Sequence, residues 1–116
     1  MGQYFCLANL DRLEWVDPST VGSPDKWSQW DPRSRLIQAM ALLLADDRPR
    51  EDYKADDMRG RWSGQRVVIA GDYAERGHLT PDGSYKTLYE HVRSHPSWMD
   101  IGRQVDQALR EDGGGI

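Results

Sequence analysis

The run Val67-Val68-Ile69-Ala70, entered from Arg66 and stopped at Gly71-Asp72-Tyr73, constrains this chain most. Four consecutive apolar residues, three of them β-branched, between Gly64 and Gly71 read as a buried strand in the interior of a sheet. A strand that ends abruptly in glycine, an acid and a phenol also delivers polar groups to one edge of the fold, where sites are commonly built. The rest of the fold must therefore supply partner strands and a covering layer.

Residues 3–10 supply the first partner. Tyr4, Cys6, Ala8 and Leu10 alternate with Phe5 and Leu7, so both faces of this strand are partly apolar and a central place is expected. Asn9, Asp11 and Arg12 provide turn chemistry before Leu13-Glu14-Trp15-Val16 alternates again, which predicts a β-hairpin. Residues 17–31 carry Pro18, Gly22 and Pro24 and read as a loop, with Trp27 and Trp30 either folded over the core or offered to a ligand.

Asp31-Pro32 has the form of an N-cap followed by a first-turn proline, and Leu36, Ile37, Met40, Leu43 and Leu44 then repeat at helical spacing. That helix should stop before Pro49. Residues 46–61 are dense in both charges and poor in aliphatic side chains, the pattern of a solvated excursion with no core face. Residues 72–83 read as a polar turn or lid. Tyr85, Leu88, Tyr89 and Val92 mark a second helix that ends by Pro96. Ser97-Trp98-Met99-Asp100 reads as a capping box for a third, whose buried stripe is Ile101, Val105, Ala108 and Leu109.

The expected fold is thus a single compact α+β domain over residues 1–112, a small antiparallel or mixed sheet with about three helices packed on one side, and a flexible glycine-rich tail at 113–116. Hydrophobic residues at 38% and charged residues at 29% fit a globular chain. The formal charge of -4 argues against nucleic acid held by phosphate neutralisation. The longest apolar stretch, 40–45, is far below the ~20 residues of a membrane span. One cysteine and no leader-like N-terminus lead to the expectation of a cytoplasmic setting.

Met1-Gly2-Gln3-Tyr4 followed by Asn9-Leu10-Asp11 and Glu14-Trp15, with Trp62-x-Gly64-x-Arg66 leading into Val68-Ile69-x-Gly71-Asp72-Tyr73, resembles a family of small uncharacterised proteins found mainly in actinobacteria and their phages. The resemblance covers the two ends of the sheet and leaves residues 17–35 and 46–61 aside. It implies a bacterial or phage origin and transfers no catalytic residue.

Three constellations can carry chemistry. In the first, Asp72, Tyr73, Glu75 and His78 crowd the turn after the strand, where a carboxylate can bind a divalent cation or act as a general base; equally, Asp72 can accept turn amides. In the second, His91 and His95 stand four apart near a helix end, with His78 as a third candidate ligand for zinc. No general-base glutamate separates them, and a histidine at a helix C-terminus is also favoured by the dipole. In the third, Trp27, Trp30 and Trp62, with Arg66 beside them, can line a groove for an anionic or aromatic-seeking partner, or simply build the core. Cys6 reads as a small buried hydrophobe.

The function expected from this pattern is a noncatalytic binding module for a protein or small ligand, with Asp72, Tyr73, Glu75, His78, Trp27, Trp30, Trp62 and Arg66 as candidate binding residues and with no cofactor or metal assigned. Two alternatives stand beside it: a small metal-dependent hydrolase using the acidic turn, and a structural component of a phage particle or homo-oligomer. The two ends of the run, one carrying Trp62 and Arg66 and the other Asp72 and Tyr73, sit on opposite sides of the sheet, about 15 Å apart at a rise of ~3.3 Å per residue, so one small site cannot easily use both.

Overall fold

The computed structural model describes residues 4–24, 26, 30, 33–46, 49–52, 54 and 57–112. Strand β1 (Phe5–Asn9) is the centre of the sheet. It pairs antiparallel with β2 (Glu14–Val16) on one side and with β3 (Val67–Gly71) on the other, and β4 (Met99–Asp100) adds to β2 in parallel. The expected hairpin is present, held by Asn9. This fully buried side chain accepts from the amides of Asp11 at 2.8 Å and Arg12 at 2.9 Å, and donates to Gln65 Oε1 at 2.8 Å. Its carbonyl oxygen is spent on the turn and its amide holds Gln65, which is why a buried asparagine is tolerated there.

The order β3-β1-β2-β4 corrects the interior position expected for the Val67–Ala70 run: β3 is an edge strand. Its apolar character comes from cover above and below rather than from a neighbour on each side. Val67 packs against one core cluster and Val68 and Ala70 against another, while Ile69 is left 46% exposed.

The fold class is as expected, a small α+β domain with three helices and a mixed sheet. The helices, however, divide between the faces. Leu7 and Val16 point to a cluster with Leu36, Ala39, Leu42 and Leu43 of α1 (Arg35–Leu44), Val105 and Leu109 of α3 (Gly102–Asp112), and Trp62. Cys6, Ala8, Trp15 and Ala70 point the other way, to Leu88 and Val92 of α2 (Leu88–Ser94) and to Trp98. Successive residues of β1 face opposite sides, and because both sides are apolar both must be covered. Each fully buried leucine in these layers contributes about 1.5–3 kcal/mol.

Local chemistry sets the element ends. Ser34 caps α1, its hydroxyl accepting from the Ile37 amide at 3.4 Å, so the helix begins after the expected Asp31-Pro32 signal, which lies outside the described residues. Thr87 caps α2 and accepts from the Glu90 amide at 3.1 Å. Its hydroxyl also donates to the Glu90 carboxylate at 3.3 Å. The box expected at Ser97–Asp100 does not form, because the open edge of β2 captures that segment: the Met99 amide donates to Leu13 O at 3.0 Å and the Ile101 amide to Trp15 O at 2.9 Å. Asp100 instead turns the chain into α3, accepting from the Gly102 amide at 2.9 Å.

Two loops also contribute to the core. Residues 18–21 form a 3-10 turn that buries Val21. Trp30 folds inward as one reading held, its ring edge-on to Phe5 at 6.2 Å and its indole N–H donating to Pro24 O at 2.8 Å. Trp27 and the 113–116 tail lie outside the described residues. The charged stretch 46–61 is less detached than its composition suggests. Met58 packs against the α1–α3 cluster, and the amides of Gly60 and Trp62 donate to Leu42 O and Leu43 O, both at 2.8 Å. Those carbonyls belong to the last turn of α1 and have no acceptor role within the helix.

Candidate functional site

At the Gly71 end of β3, the Asp72 amide donates to Tyr4 O at 3.0 Å and Asp72 Oδ1 accepts from the Tyr4 amide at 3.0 Å. The carboxylate therefore closes the strand pair through an amide 68 residues away, rather than through the turn amides expected from its position. Tyr73 stands 65% exposed beside it, and Glu75 and His78 are exposed on the following turn, joined through backbone by the His78 amide donating to Glu75 O at 3.2 Å. Among the described residues no three His, Cys, Asp or Glu side chains are grouped so as to hold a metal ion.

Beyond this turn, residues 77–86 form a compact loop whose stem is closed by the Gly77 amide on Lys86 O at 2.8 Å and stiffened inside by the Thr80 hydroxyl on Ser84 O at 3.0 Å. Two apolar side chains point out of it, Leu79 at 41% and Tyr85 at 81% exposure. Leu79 holds φ at 66°, in the left-handed region that costs a leucine about 1–2 kcal/mol. A strained, exposed leucine on a closed loop is the kind of outlier that marks a contact surface.

The opposite end of β3 is structural. Trp62 is fully buried, which corrects its expected place as a surface binding residue: its indole N–H donates to Glu14 Oε1 at 2.9 Å inside the core. The same carboxylate receives Arg61 Nε at 3.0 Å and Nη2 at 2.6 Å, with Arg12 Nε at 3.3 Å. Burial pushes the Glu14 carboxyl upward, but the hydrogen bonds from Arg61 and Trp62 outweigh it and hold it below the usual carboxylate range. Arg66 is committed to Asp11, whose carboxylate accepts the Arg66 amide at 2.8 Å and its Nε at 2.9 Å; the guanidinium itself stays largely exposed.

The histidine pair does come together, with a partner the sequence did not point to. The His91 and His95 rings lie 5.0 Å apart, and Asp82 faces both, 3.7 Å from His91 Nδ1 and 3.6 Å from His95 Nε2. His91 is buried against the Trp98 ring at 5.8 Å. Burial lowers its pKa, Asp82 opposes that, and His95 and Lys86 add to the lowering, so the imidazole is held neutral. His78, the third ligand considered, does not join them among the described residues. The Asp82 carboxyl is held low, chiefly by the Ser84 amide at 3.0 Å.

Exposed apolar side chains line the edge of β3 and the loop after it. Ile69, Tyr73, Leu79 and Tyr85 are exposed there, and Tyr4 lies beside Asp72. No helix among the described residues is long and apolar enough to cross a membrane. No protein-family model, curated protein or solved structure matches the chain.

Proposed function

We propose that this chain is a small noncatalytic interaction module, acting in a bacterial or phage-infected cytoplasm, that docks a protein partner along the β3 edge and the 72–87 loop. One observation carries the reading: Ile69, Tyr73, Leu79 and Tyr85 are all exposed within a single continuous stretch of chain, whereas the other large exposed hydrophobics are scattered. Exposed tyrosines on a preformed loop are suited to binding because they bring large contact area at small entropic cost.

The test is affinity capture from bacterial lysate with the wild-type chain against a Tyr73→Ser/Tyr85→Ser variant. Both side chains are exposed, so the variant should keep its fold. A protein recovered by the wild type and depleted at least about tenfold by the variant, a loss of about 1.4 kcal/mol in binding, is the expected result. Identical recoveries would remove the proposal.

A further inference from the structure

We propose that the β3 edge pairs with the β3 edge of a second copy of this chain, antiparallel and about a two-fold axis at Ile69. This inference rests on the docking role assigned to that edge and names its occupant. The strand is half-satisfied. The Leu10 amide donates to Arg66 O and the Asp72 amide to Tyr4 O, so residues 66, 68, 70 and 72 turn their backbone groups toward β1. Val67, Ile69 and Gly71 turn theirs outward. On that side the Gly71 carbonyl accepts from the Ala74 amide at 3.2 Å, and among the described residues nothing pairs with the outward groups of Val67 and Ile69. An open edge with an exposed isoleucine at its middle is a template for another strand.

The sequence of the strand favours its own copy. When Ile69 faces Ile69 of the second copy, Val67 faces Gly71, and the outward N–H and C=O of both Ile69 residues, with the Val67 C=O and the Gly71 N–H, meet their complements. The same register sets Arg66 of each copy opposite Asp72 of the other, on the face shared with Val68 and Ala70. The pairing thus places opposite charges across the strands twice, which stabilises, whereas a shift by two residues in either direction breaks both pairs. Asp72 has only Oδ1 engaged, and the Arg66 guanidinium is 72% exposed, so both can reach across without leaving their present partners. The two Ile69 side chains stack on each other and lose their exposure. Closed two-fold pairing also consumes the edge, so the assembly stops at two.

A ladder of five residues buries less than the roughly 1,000 Å² of a durable interface, so the dimer is concentration dependent. Sedimentation velocity of the full chain from about 1 µM to about 1 mM should show the weight-average mass rising toward twice the monomer. Ile69→Lys, which puts like charges at the two-fold axis while changing only an exposed side chain, should stay monomeric with an unchanged circular dichroism spectrum. Ile69→Cys should form a dimer on oxidation, because residues in such a pair have Cα atoms about 5.5 Å apart, within disulfide reach. Tyr85→Cys, more exposed but off the edge, should cross-link far less. A constant monomer mass, or equal cross-linking of the two cysteine variants, overturns the inference. A monomer that still captures a protein through Tyr73 and Tyr85 would remove the self-pairing and leave the docking role standing. A dimer that captures nothing would do the reverse.

Discussion

Glu14→Ala should be the most damaging exchange of a charged residue in this domain. The side chain is 8% exposed and accepts from Arg61 through two nitrogens and from the Trp62 indole. Its removal takes an acceptor from two groups. The Trp62 N–H, on a fully buried ring, loses its acceptor at a cost of about 1–3 kcal/mol. The Arg61 guanidinium, 16% exposed, loses the buried carboxylate that it shares with Arg12. Breaking a buried ion pair from one side costs about 3–5 kcal/mol, and since the two losses share one carboxylate they overlap rather than add. We expect about 3–5 kcal/mol in total, against about 1–2 kcal/mol for Glu14→Gln, whose amide oxygen can still accept from Trp62. Urea unfolding followed by tryptophan fluorescence would read this as a midpoint lowered by more than 1 M, given slopes of about 1–3 kcal/mol per M. In the Glu14→Ala/Arg61→Met double variant the cation deprived of this carboxylate is gone, and about 2 kcal/mol should return. A loss under about 1 kcal/mol for Glu14→Ala, or strict additivity in the double variant, would refute the account of Glu14 as the keystone of a desolvated cluster.

Gly102→Ala should destabilise by about 2–3 kcal/mol, although alanine normally favours a helix, because the new Cβ would overlap Thr20 Oγ1 and lie 2.6 Å from Thr20 Cβ; thermal unfolding should show recovery when Thr20→Gly is added, and a stabilised single variant would contradict the packing. His91, neutral when folded, has its pKa lowered from 6.5, so its contribution is present above that value and is lost as pH falls through the folded pKa. The melting temperature should therefore fall on acidification from pH 7 to pH 5 more steeply in the wild type than in His91→Leu, and equal slopes would exclude the linkage. Leu79→Gly releases the left-handed strain of an exposed side chain, offset by the greater freedom of glycine when unfolded, so stability should stay level or rise by up to about 1 kcal/mol. A loss greater than that in chemical denaturation would mean that Leu79 is held by packing.

The parts of this fold legible in the sequence are those governed by local periodicity. The hairpin followed from the alternation on either side of Asn9, α1 from its repeating leucines, and the buried stripe of α3 from Ile101, Val105 and Leu109. What was not legible depends on contacts far apart in the chain. Thr87 and Glu90 carry the same cap spacing as Ser97 and Asp100, yet only the first pair caps a helix, because the second is recruited by a strand 85 residues earlier. Whether Val67–Ala70 lies inside the sheet or at its edge cannot be read from its own residues, since cover from two faces and pairing on two sides give the same apolar run. The two-sided cover itself was foreshadowed by Phe5 and Leu7 alternating with Cys6 and Ala8. In the candidate site, the turn position of Asp72 pointed to its own turn amides, whereas its partner is the Tyr4 amide, brought beside it only by the pairing of β3 with β1. Asp82 was not anticipated, because only the loop closure between Gly77 and Lys86 carries it to the histidines.

The parallel bridge between β2 and β4 also orders events during synthesis. The N-terminal hairpin is made first, yet one side of β2 stays bare until Met99 and Asp100 arrive, and the face beneath it stays wet until Ile101 and Val105 follow. A chain emerging from the ribosome must carry an unfinished sheet, with the β2 margin adhesive, until residue 101 follows. Pauses or truncations before residue 101 would thus release a hairpin prone to clump, and a nascent-chain binding factor would find its longest window on this protein there.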